Sequence, residues 1–508
     1  MPLEFRIHIS RLNKTIVSID RFEIPENKIT FLFGESGIGK TILSKAVFGL
    51  LDPALLEVQI NGLDYPAYLA LESTRKIQQN GFFVFQEPST HLNPLLRLNE
   101  QLREGSLENA PGEPEILRRL WNTEGDEPIQ HLLEVYPKPY RPSGGEKQRI
   151  LLAMAFKKIA LGQQNRRSSG SAGNGTGLFI FDEPTGSLDN NFRNHFLKLL
   201  FEQFQQFPFT ALLITHDYSI ISEVYEKYTG LREQIAYKEL SLQGGRLALR
   251  DFAPRAYLEW LRAEKPVAAP QKPAAKPLLQ VRGGYEVFGK KMIISSHGFP
   301  SDGSRKDYGM FHVQPGEIIY LKAASGVGKT TLAKIIMGLQ ECKNLEMVIG
   351  RWKFSERTPK TAWRKLVWGK LAGMAFQHAD EALNSKAKVK EVFGGLPARV
   401  ELNDAYIRLR LQELFDMEID GAFLNKKVAH LSGGQKQRLN LLRTLVLDTD
   451  LLILDEPLNG LDFLSIQKVI AALQEKQREG KAILMISHNE EIFDAIIPPE
   501  NVYYLFGA

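Results

Sequence analysis

The stretch GESGIGKT, Gly34 to Thr41, follows the apolar segment Ile29–Phe33 and precedes a second apolar run. A strand that leads through a glycine-rich loop ending in Lys-Thr into a helix is typical of a phosphate-binding loop. The backbone N–H groups of such a loop point at phosphate oxygens, its lysine neutralises the β and γ oxygens, and its hydroxyl binds Mg²⁺. The nucleotide-binding candidates here are Gly34, Ser36, Gly37, Gly39, Lys40, Thr41 and Ile42.

This loop and its companion motifs occur twice, in the same order. AASGVGKT repeats the loop, FQHADEALN repeats FQEPSTHLN, SGGQKQR repeats SGGEKQR, and ILDEP repeats IFDEP. We therefore predict two homologous halves fused head to tail. The second set of nucleotide-binding candidates is Ser325, Gly326, Gly328, Lys329, Thr330 and Thr331.

A segment rich in proline and alanine, AEKPVAAPQKPAAKP at 263–277, separates the halves. It lacks large apolar side chains, which predicts an extended tether. We predict domains at 1–262 and 278–508. The segment GQQNRRSSGSAGNGTG at 162–177 has no counterpart in the second half, and its composition predicts a flexible insertion.

Two apolar strands, Leu178–Phe181 and Leu451–Leu454, end in paired acids. Buried parallel strands have this continuous apolar character. Asp182 and Asp455 are expected to hold Mg²⁺, and Glu183 and Glu456 to polarise the attacking water.

A histidine follows a further apolar strand in each half, His216 in ITHD and His488 in ISHN. Because α/β sites form at the carboxyl edge of the sheet, we expect both histidines to sense a γ-phosphate.

A Ser-Gly-Gly triplet opens a predicted helix in each half, and its hydroxyl, backbone amides and helix dipole make a second kind of anion site. The residues are Ser143, Gly144, Gly145, Ser432, Gly433 and Gly434. Two phosphate loops and two such sites predict that the chain sandwiches two nucleotides.

The order of phosphate loop, glutamine loop, SGGxxQR signature, DEP strand and histidine resembles the ATP-binding cassette (ABC) ATPases over both halves. The resemblance implies two P-loop NTPase domains of the α/β class that hydrolyse ATP with Mg²⁺. Each would have a mostly parallel sheet with flanking helices, an antiparallel β subdomain and a helical signature subdomain. FQEPSTHLNP at 85–94 is similar to the importer ATPase subunits for dipeptides, oligopeptides and nickel, in which the glutamine loop receives the membrane partner.

The same resemblance assigns further residues. It implies roles for Gln86 and Gln377 in Mg²⁺ binding and coupling. It assigns Asp189 and Asp462 to communication across the domain dimer. An aromatic side chain, Phe288 or Tyr285, should stack on adenine in the second half, whereas 10–14 in the first half has no aromatic residue.

Family sites are composite, which pairs Lys40 with Ser432 and Lys329 with Ser143. Ala323, in place of the first loop glycine, and Pro142, before the first triplet, then fall in the same site. We predict that the site with Lys40, Glu183 and Ser432 hydrolyses ATP faster than the other.

Composition limits the remaining possibilities. The net charge of +5 over 508 residues is too small to indicate nucleic acid, and the single cysteine, Cys342, excludes an intrachain disulfide. No apolar run is long enough to span a membrane. The resemblance therefore implies a cytoplasmic protein, peripheral on the inner face of the cell membrane, with integral permease subunits and an external solute-binding protein as partners.

Two alternatives to a transport role stay open at this point. The first is a soluble, non-transport tandem ABC ATPase, of the type that accompanies phosphonate cleavage or activates an enzyme. The second is a nucleotide-gated scaffold without hydrolysis, against which the two glutamates speak.

Overall fold

The computed structural model describes residues 2–103, 113–123, 125–135, 142–169, 177–185, 190–243, 246–267, 276–282, 284–296, 310–323, 327–398, 401–415 and 417–507. The chain divides into two compact units, the first comprising 1–34 and 38–255 and the second 35–37 and 256–508. In the described part of the chain, none of the helices combines the length and apolar character that crossing a bilayer needs.

The first unit contains an antiparallel sheet and a mostly parallel one. Its strands are β1 (Leu3–Arg11), β2 (Lys14–Ile24), β3 (Ile29–Gly34), β4 (Glu57–Ile60), β5 (Leu63–Asp64), β6 (Phe82–Val84), β7 (Leu178–Asp182), β8 (Thr210–Ile214), β9 (Ile235–Gln243) and β10 (Arg246–Asp251). The four-stranded sheet has the order β2-β1-β4-β5, and the six-stranded sheet has the order β10-β9-β3-β8-β7-β6. All pairs from β9 to β6 are parallel, and β10 is an antiparallel edge.

The burial of these strands follows their sequence patterns. Every residue of β3, β7 and β8 is buried, as the continuous apolar runs predict for strands covered on both faces. In β1 and β2 buried and more exposed residues largely alternate, which is the pattern of a sheet with one wet face.

The helices described in the first half of the chain follow one another between and after these strands. They are α1 (Lys40–Phe48), α2 (Tyr65–Ala70), α3 (Glu72–Asn80), α4 (Leu98–Arg103), α5 (Glu113–Trp121), α6 (Glu127–Gln130), α7 (Gly144–Ser169), α8 (Asn190–Gln206), α9 (Ile220–Lys227) and α10 (Pro254–Ala263). Helix α7 continues through Ser169, so residues 162–169 of the segment predicted as a flexible insertion are helical instead. Residues 170–176 lie outside the described part. Most of α10 belongs to the second unit, which resumes at Ala256.

The second unit repeats the arrangement. Its strands are β11 (Leu279–Arg282), β12 (Tyr285–Val287), β13 (Lys290–Ser295), β14 (Met310–Val313), β15 (Ile318–Lys322), β16 (Glu346–Ile349), β17 (Trp352–Ser355), β18 (Ala372–Ala375), β19 (Leu451–Asp455), β20 (Ala482–Ile486) and β21 (Val502–Gly507). Its helices are α11 (Lys329–Ile336), α12 (Lys360–Leu366), α13 (Ala379–Ala382), α14 (Asp404–Leu414), α15 (Gly421–Asn425), α16 (Gly433–Leu445), α17 (Phe463–Arg478) and α18 (Glu490–Ile496). The sheets have the orders β14-β11-β16-β17 and β12-β13-β21-β15-β20-β19-β18. The predicted α/β class, with an antiparallel sheet beside each mostly parallel one, is confirmed.

Strand register places the predicted functional residues together. Asp182 at the end of β7 is level with Ile214 at the end of β8, and Asp455 on β19 is level with Ile486 on β20. Because parallel strands end at the same sheet edge, the acidic pairs and the histidine loops of each half become neighbours.

The left-handed turn after α11 generates a stability prediction. Gly338 has φ +65°, and a Cβ there would lie 2.3 Å from the ring of Trp363. We expect Gly338→Ala to lower the free energy of unfolding of the second unit by about 3 kcal/mol, since a left-handed alanine costs roughly 1–2 kcal/mol and overlap adds about 1–3. The measurement is tryptophan fluorescence during urea unfolding, because Trp260, Trp352, Trp363 and Trp368 all lie in this unit.

Gly395→Ala is the matched control. Gly395 has φ +72°, and a Cβ added there would meet nothing within 4 Å beyond its chain neighbours, so only the backbone cost of roughly 1–2 kcal/mol is expected. Equal unfolding midpoints for the two variants would contradict the overlap at Gly338.

Candidate ATP sites

The first phosphate loop connects β3 to α1 through backbone that only glycine adopts easily. Gly34 has φ +140°, and a Cβ on it would lie 2.4 Å from the carbonyl oxygen of Leu240 on the neighbouring strand β9. Gly39 has φ +116° and immediately precedes α1. The buried Lys40 donates from Nζ to the Gly34 carbonyl at 2.7 Å, so its ammonium lies over the loop.

The second phosphate loop is built in a similar way around Lys329, which donates from Nζ to the Ala323 carbonyl at 2.7 Å. Gly328 has φ +115° before α11. Ala323, by contrast, is not left-handed, and its side chain packs against the core of the second unit. An alanine is therefore accommodated where the first loop requires a glycine. Ser325 and Gly326 lie outside the described residues.

A hydroxyl and a buried carboxylate meet beneath each loop. Thr41 donates from Oγ1 to Asp182 Oδ1 at 3.2 Å, while Asp182 Oδ2 accepts no hydrogen bond from any described residue. Burial raises the pKa of Asp182 to about 6. Burial also raises the pKa of Asp455, which has Thr330 beside it. A hydroxyl with a desolvated carboxylate is a donor set that suits Mg²⁺, because the cation would supply the charge that burial opposes.

Glu183 lies at the centre of a side-chain network in the first unit. Its carboxylate accepts a hydrogen bond from Gln86 Nε2 at 2.8 Å through Oε2, and its Oε1 lies 3.0 Å from His216 Nδ1. Burial opposes the charge on Glu183, but His216, Lys40 and Gln86 outweigh it and hold the pKa below its usual value. The pKa of His216 is raised because Glu183 outweighs the burial of the ring. Predicted residues from the ends of β6, β7 and β8 thus form one connected group.

Glu456 in the second unit has different partners. Its Oε2 accepts hydrogen bonds from the Ser487 hydroxyl at 3.0 Å and from the His488 backbone N–H at 3.1 Å. The imidazole Nε2 of His488 lies 3.5 Å from Oε1, and that side chain is 51% exposed, against 25% for His216. Burial raises the pKa of Glu456 to about 7. Ser487 was not predicted, although its place directly before the histidine in ISHN is a signal that could have found it.

The Ser-Gly-Gly triplets open helices α7 and α16. Ser143 and Ser432 each cap their helix and exchange hydrogen bonds with the residue three positions on, Glu146 or Gln435. In the second unit, which includes residues 35–37, the Ser432 hydroxyl also donates to Glu35 at 2.7 Å. A carboxylate therefore lies at the N-terminus of α16, where an anion was predicted.

Comparison with models of protein families shows the family of the chain that carries these sites. The model of the ABC transporter family matches residues 18–160 and 309–459, more than half of the chain and one segment in each half.

The chain belongs to the ABC transporter family.

It is accordingly an ATP-binding protein with ATPase activity and two ATP-binding domains.

Tandem relatives match along nearly the whole chain. This ABC protein is 26% identical to the peptidoglycan transport ATP-binding protein YejF of Agrobacterium fabrum, over 95% of this chain and 86% of that one. It is also 26% identical to the glutathione import ATP-binding protein GsiA of Escherichia coli K12, over 95% and 81%. Among solved structures, the RNase-L inhibitor is similar with a TM-score of 0.59 at 18% identity, over 98% of this chain and 89% of that one, which shows a shared fold.

The two aromatic residues predicted as candidates for stacking on adenine differ in exposure. Tyr285 is buried on β12, whereas Phe288 is 77% exposed at the left-handed turn between β12 and β13. The equivalent turn of this ABC protein's first half, between β1 and β2, carries Leu12, which is 89% exposed. The two halves therefore present different side chains at equivalent turns.

Three further predicted residues follow or cap elements of the sheet edge or lie outside the described part of the chain. Gln377 follows β18 and is partly buried. Asp462 caps α17 by accepting from the Ser465 N–H at 2.8 Å. Asp189, its counterpart, lies outside the described residues.

The two loops of this ABC protein generate a binding prediction. Gly34→Ala, made with Lys329→Ala so that the first half is observed, should weaken ATP binding at least about tenfold, since the new Cβ would displace the loop from Leu240. The measurement is calorimetric titration with a non-hydrolysable ATP analogue.

Ala323→Gly, made with Lys40→Ala, is the reciprocal control. It should change ATP affinity less than about twofold, because Ala323 already fits its backbone. Similar losses in both variants would show that the loops do not differ as described.

Proposed function

We propose that this chain is the ATP-hydrolysing subunit of an ABC importer. It energises uptake of a small solute, such as a peptide or a metal, through separate membrane permease subunits served by an external solute-binding protein. The names of the tandem relatives, a peptidoglycan transport protein and a glutathione import protein, support this role. The protein would act at the inner face of the cell membrane.

The observation that carries the proposal is the connection between Glu183 and the surface. Gln86 bonds to the Glu183 carboxylate, and the residues on both sides of Gln86 are tied to helix α7, which begins with the signature triplet. Lys147 on that helix donates to the Ser89 hydroxyl at 3.1 Å, and Gln148 donates to the Phe85 carbonyl at 3.3 Å. A force applied to this segment would therefore reach both the catalytic carboxylate and the signature helix.

The same segment ends in exposed leucines. Leu95 is 83% exposed and Leu96 is 37% exposed. Buried Gln101 holds the backbone just before them, because it donates to the Asn93 carbonyl at 3.0 Å and accepts from the Asn93 N–H at 2.8 Å. Apolar side chains presented on a braced loop suit the docking of a permease segment.

The second half presents a different surface at this place. The string LNSK aligns with LNPL, so Lys386 stands where the first half has Leu95, and it is exposed. Lys436 bonds to Asp380 at 2.9 Å, which matches the bond from Lys147 to Ser89. The internal linkage is thus kept while the surface changes, which suits two permease subunits with different docking segments, one apolar and one acidic.

Different residues of each site would bind the metal, activate the water and neutralise the phosphates. When bound, ATP and Mg²⁺ supply the phosphoryl group and the charge that stabilises it. We assign Thr41, Asp182 and Gln86 to the metal in the first half, with Thr330, Asp455 and Gln377 in the second. Glu183 orients and polarises water, His216 holds that carboxylate, and Lys40 neutralises phosphate oxygens. In the second half Glu456, His488 and Lys329 have these roles, and Phe288 stacks on the base.

The different surroundings of the glutamates predict unequal hydrolysis. Glu183 is held ionised between Gln86 and His216, whereas Glu456 is tied to Ser487 and to backbone. We expect Glu183→Gln to lower steady-state ATPase activity at least about tenfold, because it removes the charged member of the connected network. Glu456→Gln should retain roughly half or more of the activity under the same conditions. An equal loss in both variants would contradict the asymmetry.

The docking surface is tested by Leu95→Glu in the full chain. A charge at the contact should abolish co-purification with integral membrane proteins from detergent-treated membranes, because an apolar interface rejects an unpaired carboxylate. ATPase activity of the isolated variant should stay within about twofold, since Leu95 does not touch the site.

Leu55→Glu is the control, because Leu55 is 62% exposed elsewhere in the first unit. Loss of the membrane partners from both variants would argue against this docking surface. If the unchanged chain captures no membrane protein, the non-transport role is favoured instead. The fold shared with the RNase-L inhibitor is compatible with either role.

A further inference from the structure

The segment 256–267 lies at the end of the first half in sequence and overlaps the predicted tether, but it packs within the second unit. Tyr257 is fully buried there. Its ring lies 5.6 Å from Phe463, and the ring of Trp260 lies 5.4 Å from the same phenylalanine. These three rings form an aromatic cluster at the start of α17.

The cluster is adjacent to the residue that caps α17. Phe463 directly follows Asp462, whose carboxylate accepts from the Ser465 N–H. Ser465 in turn bonds through its hydroxyl to Arg438 of the signature helix α16. The position of Phe463 therefore bears on the Asp462 loop and, through Ser465, on the signature helix.

A second contact of the segment reaches the histidine side of the site. The Tyr257 hydroxyl donates to Glu491 Oε2 at 2.9 Å. Glu491 is the second residue of α18, three positions after His488. One buried tyrosine thus contacts both the first residue of α17 and the first turn of α18.

The segment continues along α17 beyond the end of α10. Gln474 donates to Glu264 Oε2 at 3.0 Å, and the largely buried Gln477 donates to the Val267 carbonyl at 3.5 Å. A passive tether would not need to bind α17 and α18, so these contacts indicate that the segment is part of the second unit.

We propose that the segment 256–267 is a positioning element for the ATP-site residues of the second unit, with Tyr257 and Trp260 as its positioning residues. It holds the start of α17, which Asp462 caps, and the start of α18, which follows His488, at a fixed separation. Both residues would then respond together to ATP. The inference rests on the proposed roles of Asp462 and His488.

The experiment uses the full chain with a specific protease site placed in the tether after Val267. Photoreactive azido-ATP is trapped with vanadate, the chain is cleaved, and label is counted in each half. Trp260→Ala should lower vanadate-dependent label in the second half, whose phosphate loop His488 is proposed to serve, at least about fivefold. Label without vanadate, which reports binding, should change less than about twofold in either half, because Lys329 and its loop are not touched.

Two matched variants separate positioning from general stability. Trp260→Phe should restore trapping, because it keeps a ring against Phe463. Trp352→Ala removes a partly exposed tryptophan from β17 of the same unit and should leave trapping unchanged. The inference is overturned if Trp260→Ala traps normally in the second half, or if binding and trapping fall together.

Hydrogen–deuterium exchange gives a readout independent of turnover. In Trp260→Ala, peptides covering 462–466 and 488–493 should exchange faster, while the peptide around His216 should not. Unchanged exchange at 462–466 and 488–493 would also overturn the inference. Absence of trapping in both halves of the parent chain would instead count against the proposed function, and exchange would then decide the positioning role alone.

Discussion

An equivalent backbone hydrogen bond organises each of the two candidate ATP sites. The N–H of Glu183 donates to the carbonyl of Ile214, and the N–H of Glu456 donates to the carbonyl of Ile486. Each bond ties the residue after the acidic strand to the end of the neighbouring strand. Both glutamates have positive φ, near +50°, a conformation that non-glycine residues keep only when their surroundings enforce it. These bonds bring each glutamate carboxylate to the histidine loop at the sheet edge.

From this common starting point the two halves diverge through their side chains. The first glutamate meets Gln86 and His216, and the second meets Ser487 and a backbone N–H. The pKa of Glu183 is lowered and that of Glu456 is raised, although the DEP motif is the same. Duplication has thus preserved the backbone of the site while its electrostatics have separated, which gives a tandem ATPase the means to assign different tasks to its two halves.

The surface of the protein follows the same division. The segment that follows Gln86 or Gln377 is bonded to the helix that begins at the Ser-Gly-Gly triplet in both halves. It exposes Leu95 and Leu96 in the first half and Lys386 in the second. The segment 256–267 adds a further difference, because it braces α17 and α18 of the second unit. The two halves share a backbone arrangement but differ in their site side chains and in their surface side chains. The surface can change without disturbing the site, since surface side chains contribute little to the core.

The amino-acid sequence by itself determined the fold class and the duplication, and it predicted which residues would meet at the sheet edge. Motifs such as GESGIGKT and the acidic strands require a particular local backbone, and neighbouring parallel strands end at the same edge of a sheet. For these reasons the sequence predicted that four residues would lie close together: Lys40, Asp182, Glu183 and His216. The sequence also indicated Phe288, but only the structure separated it from Tyr285, because burial depends on the strand to which each belongs.

Tertiary structure alone decided the partners of Glu456, the helical course of 162–169 and the packing of 256–267. The packing of 256–267 depends on contacts between distant residues such as Tyr257 and Glu491, which composition and spacing do not encode. A stretch rich in proline and alanine predicts a tether because it lacks the large apolar side chains that would pack against a core. Whether its leading residues bind a helix depends on the surface they meet, and that surface exists only once the second unit has folded.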